Sequence, residues 1–235
     1  MSVAKLQSAL ASINWTNNIG SFFSDATQAE KLAASNLRLA IWAKQLETAD
    51  VGNPALSFVR EMQAAGQYVA VLIPLSLYKP AAGSIRSVME SALYYTYFRT
   101  HLAELETLVR AKGYYIDKRD VVDFHRVHTA DFGDVQQKLG VISRLEAWYG
   151  RVSSLVHGQI PGQWVEHKSV ADIKPIKTTQ DVAVATFVEG EEIVHRLFLC
   201  TTGRQLWDSF SSTAKAKLLA GLQGHEKVAL KLDAA

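Results

Sequence analysis

Apolar residues recur three and four positions apart along nearly the whole chain, and no run alternates apolar and polar groups between hairpin turns. The first spacing lines one face of an α-helix, while alternation is what a half-buried strand requires. The pattern therefore predicts an all-α fold, a bundle of long antiparallel helices joined by short connections. With 235 residues and no composition shift that marks a linker, the chain reads as one domain, 1–235.

Punctuation divides the pattern. Val3, Leu6, Leu10 and Ile13 form a short first stripe, and residues 14–24 carry turn formers. A long helix follows from Thr27, with Leu32, Leu39, Trp42, Ala43 and Leu46 on one side, and ends at Asp50 to Pro54. Asn53 is placed to cap the next helix and Pro54 to sit in its first turn. Pro74 should kink or end that helix. Beyond Lys79-Pro80, Ile85, Met89, Ala92, Leu93 and Tyr97 continue at helical spacing. Shorter helices are expected at 103–112 and 118–129, then a strong one at 139–156 with Ile142, Leu145, Tyr149, Val152 and Val156 as its stripe. Gly158, Pro161 and Gly162 stop it, an irregular stretch runs to Pro175, and two helices, 179–200 and 204–231, close the chain.

The opening residues lack the basic-then-apolar layout of a signal peptide. The longest apolar run, Tyr68 to Tyr78, is short of the ~20 residues that a membrane span needs. One cysteine, Cys200, cannot form an internal disulfide. A cytoplasmic protein with no membrane partner is the expectation. The formal net charge is only +2, below what a dominant nucleic-acid face produces. Lys112, Lys118, Arg119, Arg126, Arg144 and Arg151 give the middle third a basic bias that a solvated helical surface also explains.

Phosphate-binding glycine loops, paired-cysteine zinc spacings, His-Glu-x-x-His and the Gly-x-Ser-x-Gly elbow are all missing. His125 and His128, with Asp123 and Asp131 near them, lack a well-placed third ligand, so neither a metal nor another cofactor is expected.

Two segments carry polar groups where the pattern calls for burial. Arg86 and Glu90 lie four apart among Ile85, Met89 and Leu93, so they share a helix face and can pair. Tyr149, Ser153 and His157, each four apart, form a second polar stripe. Enclosed charges are costly unless they meet partners, so the two helices should face each other, with His157 at the edge of a crevice. Arg151 is six residues before His157 and about 120° round the helix from it. A loosened last turn or a second subunit can bring the two to a common cleft.

Here the residues resemble a known family. Arg151-x5-His157 is similar to the Arg-x4–6-His signature of the HEPN superfamily, and the upstream Arg-x-x-x-Glu helix resembles one bacterial branch of it. The resemblance covers roughly Pro80 to Gly162, within a HEPN-like core of approximately 53–200. Val152 stands where many active members carry a polar residue. The resemblance implies an all-α homodimer acting as a metal-independent endoribonuclease, with RNA as substrate, and a toxin–antitoxin or antiphage role with an antitoxin or defence-system partner. It implies His157 as general acid/base, Arg151 as phosphate clamp, and Arg86, Glu90, Tyr149 and Ser153 in support. Histidine titrates near neutrality and arginine grips phosphate with paired hydrogen bonds, which suits such chemistry. Two other readings share the same residues: a catalytically silent relative that binds a partner, nucleotide or RNA, and a helical scaffold.

Overall fold

The computed structural model describes residues 2–165 and 167–232, and among these it is all-α with no strand. The helices are α1 (Val3–Ser12), α2 (Trp15–Phe23), α3 (Ala26–Ala49), α4 (Leu56–Leu72), α5 (Tyr78–Phe98), α6 (Leu102–Arg110), α7 (Lys118–His128), α8 (Phe132–Leu139) and α9 (Val141–Val156). A 3-10 turn at Val170–Asp172 precedes α10 (Lys177–Thr201), α11 (Gly203–Asp208), α12 (Ser212–Leu219) and α13 (Gly224–Leu230). None of these helices is long and apolar enough to cross a membrane.

The long helices α3, α4, α5 and α10 make the most extensive mutual packing. Short connections at 50–55 and 73–77 make α3, α4 and α5 antiparallel neighbours. Their shared core is centred on Trp42, fully buried, whose ring meets Phe198 at 5.1 Å and Phe210 at 5.8 Å between centroids. Helix α9 lies in the angle between α5 and α10, and α7 covers the later part of α5.

Several boundaries follow local chemistry that spacing alone does not reveal. Residues 14–24, expected as turns, hold α2, because Asn14 Oδ1 accepts the Asn17 N–H at 2.9 Å and Phe22 is buried beneath the helix. Pro74 ends α4 rather than kinking it, and Ser76 turns the chain through a φ of 64° into α5. Pro80 then sits in the first turn of α5, where its missing N–H costs nothing. The expected helix 204–231 is three short ones. Ser211 Oγ caps α12 by accepting the Ala214 N–H, and Gly221, with a φ of 83°, breaks the chain before α13.

The apolar stripe of α9 is also rotated from the expected one. Its buried residues are Val141, Leu145, Trp148, Val152 and Leu155, while Ile142, Tyr149 and Val156 flank them half-buried. Trp148 decides this. Its ring packs against Gly190 of α10, where any Cβ would overlap it, and its Nε1–H donates to the Thr186 carbonyl at 2.9 Å. The large side chain takes the centre of the contact and leaves Tyr149 at the margin, facing α5.

Candidate functional site

Helix α5 buries Ile85, Met89 and Leu93 and so turns Arg86 and Glu90 to its flank. Helix α9 meets that flank with Tyr149 and, at its carboxyl end, with His157. The Arg86 guanidinium holds three partners at once. Nε donates to Glu90 Oε1 at 2.8 Å, Nη2 to the Tyr149 hydroxyl at 2.9 Å, and Nη1 to His157 Nε2 at 2.5 Å. The ring closes through Tyr149, whose hydroxyl donates to Glu90 Oε1 at 2.6 Å.

Arginine has donors only. His157 Nε2 must therefore be the acceptor, which puts a neutral imidazole's proton on Nδ1. The imidazole is exposed, whereas the Arg86 side chain keeps only 20% of its surface. Burial opposes the Arg86 cation, but Glu90 and Tyr149 together outweigh it and raise the guanidinium's pKa. Burial, followed by the bond to Glu90, pushes the Tyr149 phenol up to about 12, so it stays a donor at neutral pH. Its ring also faces two cations, Arg86 Cζ at 5.2 Å and Lys118 Nζ at 5.5 Å from the centroid. Beside this group lies a cavity of about 40 Å³ lined by Glu90, Tyr94, Lys118 and Tyr149, which is room for an ordered water with polar partners.

Four of the six expected residues, Arg86, Glu90, Tyr149 and His157, thus meet in one network. Ser153 contributes through its backbone: its carbonyl accepts the His157 N–H at 2.9 Å and so fixes the turn that presents the imidazole. Arg151 is not in the network. It is half-exposed on the far side of α9, with Nη2 2.5 Å from Glu189 Oε2 of α10. The helical angle explains this, because two residues past Tyr149 the side chain has rotated by about 200°.

The histidines of α7 do not form a second centre. His125 is buried against Phe132 with Nδ1 2.8 Å from Thr129 Oγ1, and His128 rests on Phe124. Among the described residues no group of three or more His, Cys, Asp or Glu is placed to hold a metal ion. Of the aromatic run on α5, Tyr95, Tyr97 and Phe98 are buried packing groups.

Sequence reasoning saw Lys118 only in the basic bias of the middle third, not beside Tyr149, where it joins α7 to α9 through Glu146 at 2.5 Å, and it missed Lys79, whose ammonium reaches the Leu155 carbonyl. Lys79 had a signal: it lies seven residues before Arg86, hence on the same helix face. Lys118 had none, since nothing local ties residue 118 to residue 149. No family model, curated protein or solved structure gives a significant match to the chain.

Proposed function

We propose that this protein is a HEPN-like, metal-independent endoribonuclease acting at the Arg86–Glu90–Tyr149–His157 network. The observation that carries the reading is the contact between Arg86 Nη1 and the exposed His157 Nε2, which couples a phosphate-binding donor to a proton acceptor. An incoming phosphate takes the Nη1 donor and frees the Nε2 lone pair. His157 then removes the proton from the substrate's 2′-hydroxyl, whose oxygen attacks the adjacent phosphorus. The bond to the 5′-oxygen breaks, a proton returns to that oxygen, and the product ends in a 2′,3′-cyclic phosphate. Arg86 stabilises the charge that builds on the non-bridging phosphate oxygens, and Glu90 and Tyr149 hold Arg86 in orientation. Arg151 supplies a second cation once phosphate draws it from Glu189, within a homodimer that joins two such sites in one groove. A toxin or antiphage role in the cytoplasm, with an antitoxin or defence-system partner, follows from the same resemblance.

The test is cleavage of a panel of RNAs with EDTA present. Cyclic-phosphate ends are expected, and His157→Ala should lose roughly 10²–10⁴-fold in rate. Intact RNA with well-folded wild-type protein would overturn the reading. It would favour instead a silent relative that binds a partner, nucleotide or RNA. One observation supports that alternative: each arginine is already engaged by a carboxylate, Arg86 by Glu90 and Arg151 by Glu189.

A further inference from the structure

Between α9 and α10, the described residues 157–165 and 167–176 form no α-helix of their own. Both ends of this link are held by one turn of α5. Where the chain leaves α9, the Lys79 ammonium donates to the Leu155 carbonyl. Where it enters α10, the Ile176 N–H donates to the Tyr78 hydroxyl at 3.2 Å. Two adjacent residues at the start of α5 therefore close the link at both mouths.

The Lys79 contact bears on the imidazole. Leu155 is one of the last residues of α9, and its carbonyl also accepts the Gly158 N–H at 3.3 Å. A cation there satisfies a carbonyl at the helix end and complements the negative pole of the dipole. His157 is the C-cap of the same turn. Lys79 and Arg86 lie two turns apart on one face of α5, so α5 grips that turn twice, Lys79 by its backbone and Arg86 by its imidazole.

We propose that Lys79 is a positioning residue for His157, fixing the final turn of α9 so that Nε2 meets the Arg86 guanidinium. The consequence for catalysis rests on the ribonuclease reading, while the positioning itself does not. Without the ammonium the turn frays, and His157 moves among orientations in which Nε2 is not bound.

The experiment uses the full chain labelled with 15N in its histidines, and long-range 15N–1H spectra that report which imidazole nitrogen carries the proton. The His157 signals are assigned with His157→Gln. In the wild type they should show the Nδ1–H form. Lys79→Met should lose that signature and, in RNA cleavage, lower kcat by roughly 10- to 100-fold with KM little changed. Lys79→Arg, which keeps a donor and the charge, should restore both. Tyr78→Phe, which loosens only the α10 mouth, should leave the His157 signals as in the wild type. Should Lys79→Met fail to fold, Lys79→Gln is read in the same way.

Wild-type His157 signals in the Lys79 variant would overturn the proposal, whatever the stability of the variant. Equal loss in Tyr78→Phe would also overturn it, since that would mark general loosening. A lost signature with no RNA cleavage in any protein supports the positioning role and sinks the ribonuclease reading instead.

Discussion

Among the described residues, two arginine–glutamate clusters differ in where they end. In the first, Arg86, Glu90 and Tyr149 lead to an exposed imidazole. In the second, Arg38 of α3 grips Glu191 of α10 in a fork, at 2.7 Å and 2.6 Å, and also holds Glu192 at 2.6 Å. Glu192 continues to Arg196 at 2.8 Å, and Arg196 reaches Glu226 of α13. One turn from Glu191, the Trp42 indole donates to His195 Nδ1 at 3.0 Å. Glu191 has no exposed surface, and burial, only partly offset by Arg38, pushes its carboxyl up to about 7. The second cluster closes on itself and ties three helices together. The first ends on an imidazole that faces solvent. The contrast lies in the carboxylates: Glu191 is fully buried and Glu226 nearly so, whereas Glu90 keeps 37% of its side-chain surface.

The comparison can be broken most easily at Arg38. At pH 8, above the folded value of Glu191, Arg38→Ala deprives that buried carboxyl of its counter-ion, and should destabilise the fold by about 3–5 kcal/mol. Urea unfolding measures this, and a loss no larger than that of Arg86→Ala would erase the distinction between the clusters.

Acid should separate them next. Burial first, then neighbouring cations, holds His125 down at about 4 and His195 at about 3. Their folded pKa values lie below the ordinary ~6.5, so their contribution is complete above that pH and drains away as pH falls toward the folded values. Glu191 runs the other way. Its folded value of about 7 lies above its ordinary 4.5, so the cost of ionising it is complete above 7 and eases as pH falls. Between pH ~6.5 and ~4.5 each histidine costs up to about 1.4 kcal/mol per unit and Glu191 returns as much. A net loss of about 1.4 kcal/mol per pH unit is therefore expected. Unfolding at stepped pH tests it, and His125→Gln should flatten the slope.

The smallest effects belong to Arg86 and Arg151. Arg86→Ala should cost about 1–2 kcal/mol, from hydrogen bonds that water partly replaces. Arg151→Ala should cost only about 0–1 kcal/mol, because its pair with Glu189 is exposed on both sides. If Arg151→Ala were the more damaging of the two in thermal unfolding, the ranking of the two arginines would be reversed.

The legible part of this protein is what repeats locally. The α10 helix, the buried face of α5 and the Arg86–Glu90 pair at i,i+4 all follow from spacing. So does the stripe that carries Tyr149 and His157. The short helices α2, α12 and α13 were harder, because each depends on a single cap or glycine rather than on a sustained pattern.

By itself, then, the sequence determined that the chain is helical, which residues share a helix face, and that Arg151 and His157 point about 120° apart. Only the tertiary structure decided that Arg86 reaches His157 across 71 positions of sequence and that Arg151 turns to Glu189. It also decided that Trp148 rather than Tyr149 fills the centre of α9's contact, and that Arg38 and Glu191, 153 positions apart, are partners. The reason is physical. Helical periodicity fixes angles about one axis, whereas the meeting of two axes is set by how side chains pack, and here a tryptophan over a glycine sets it.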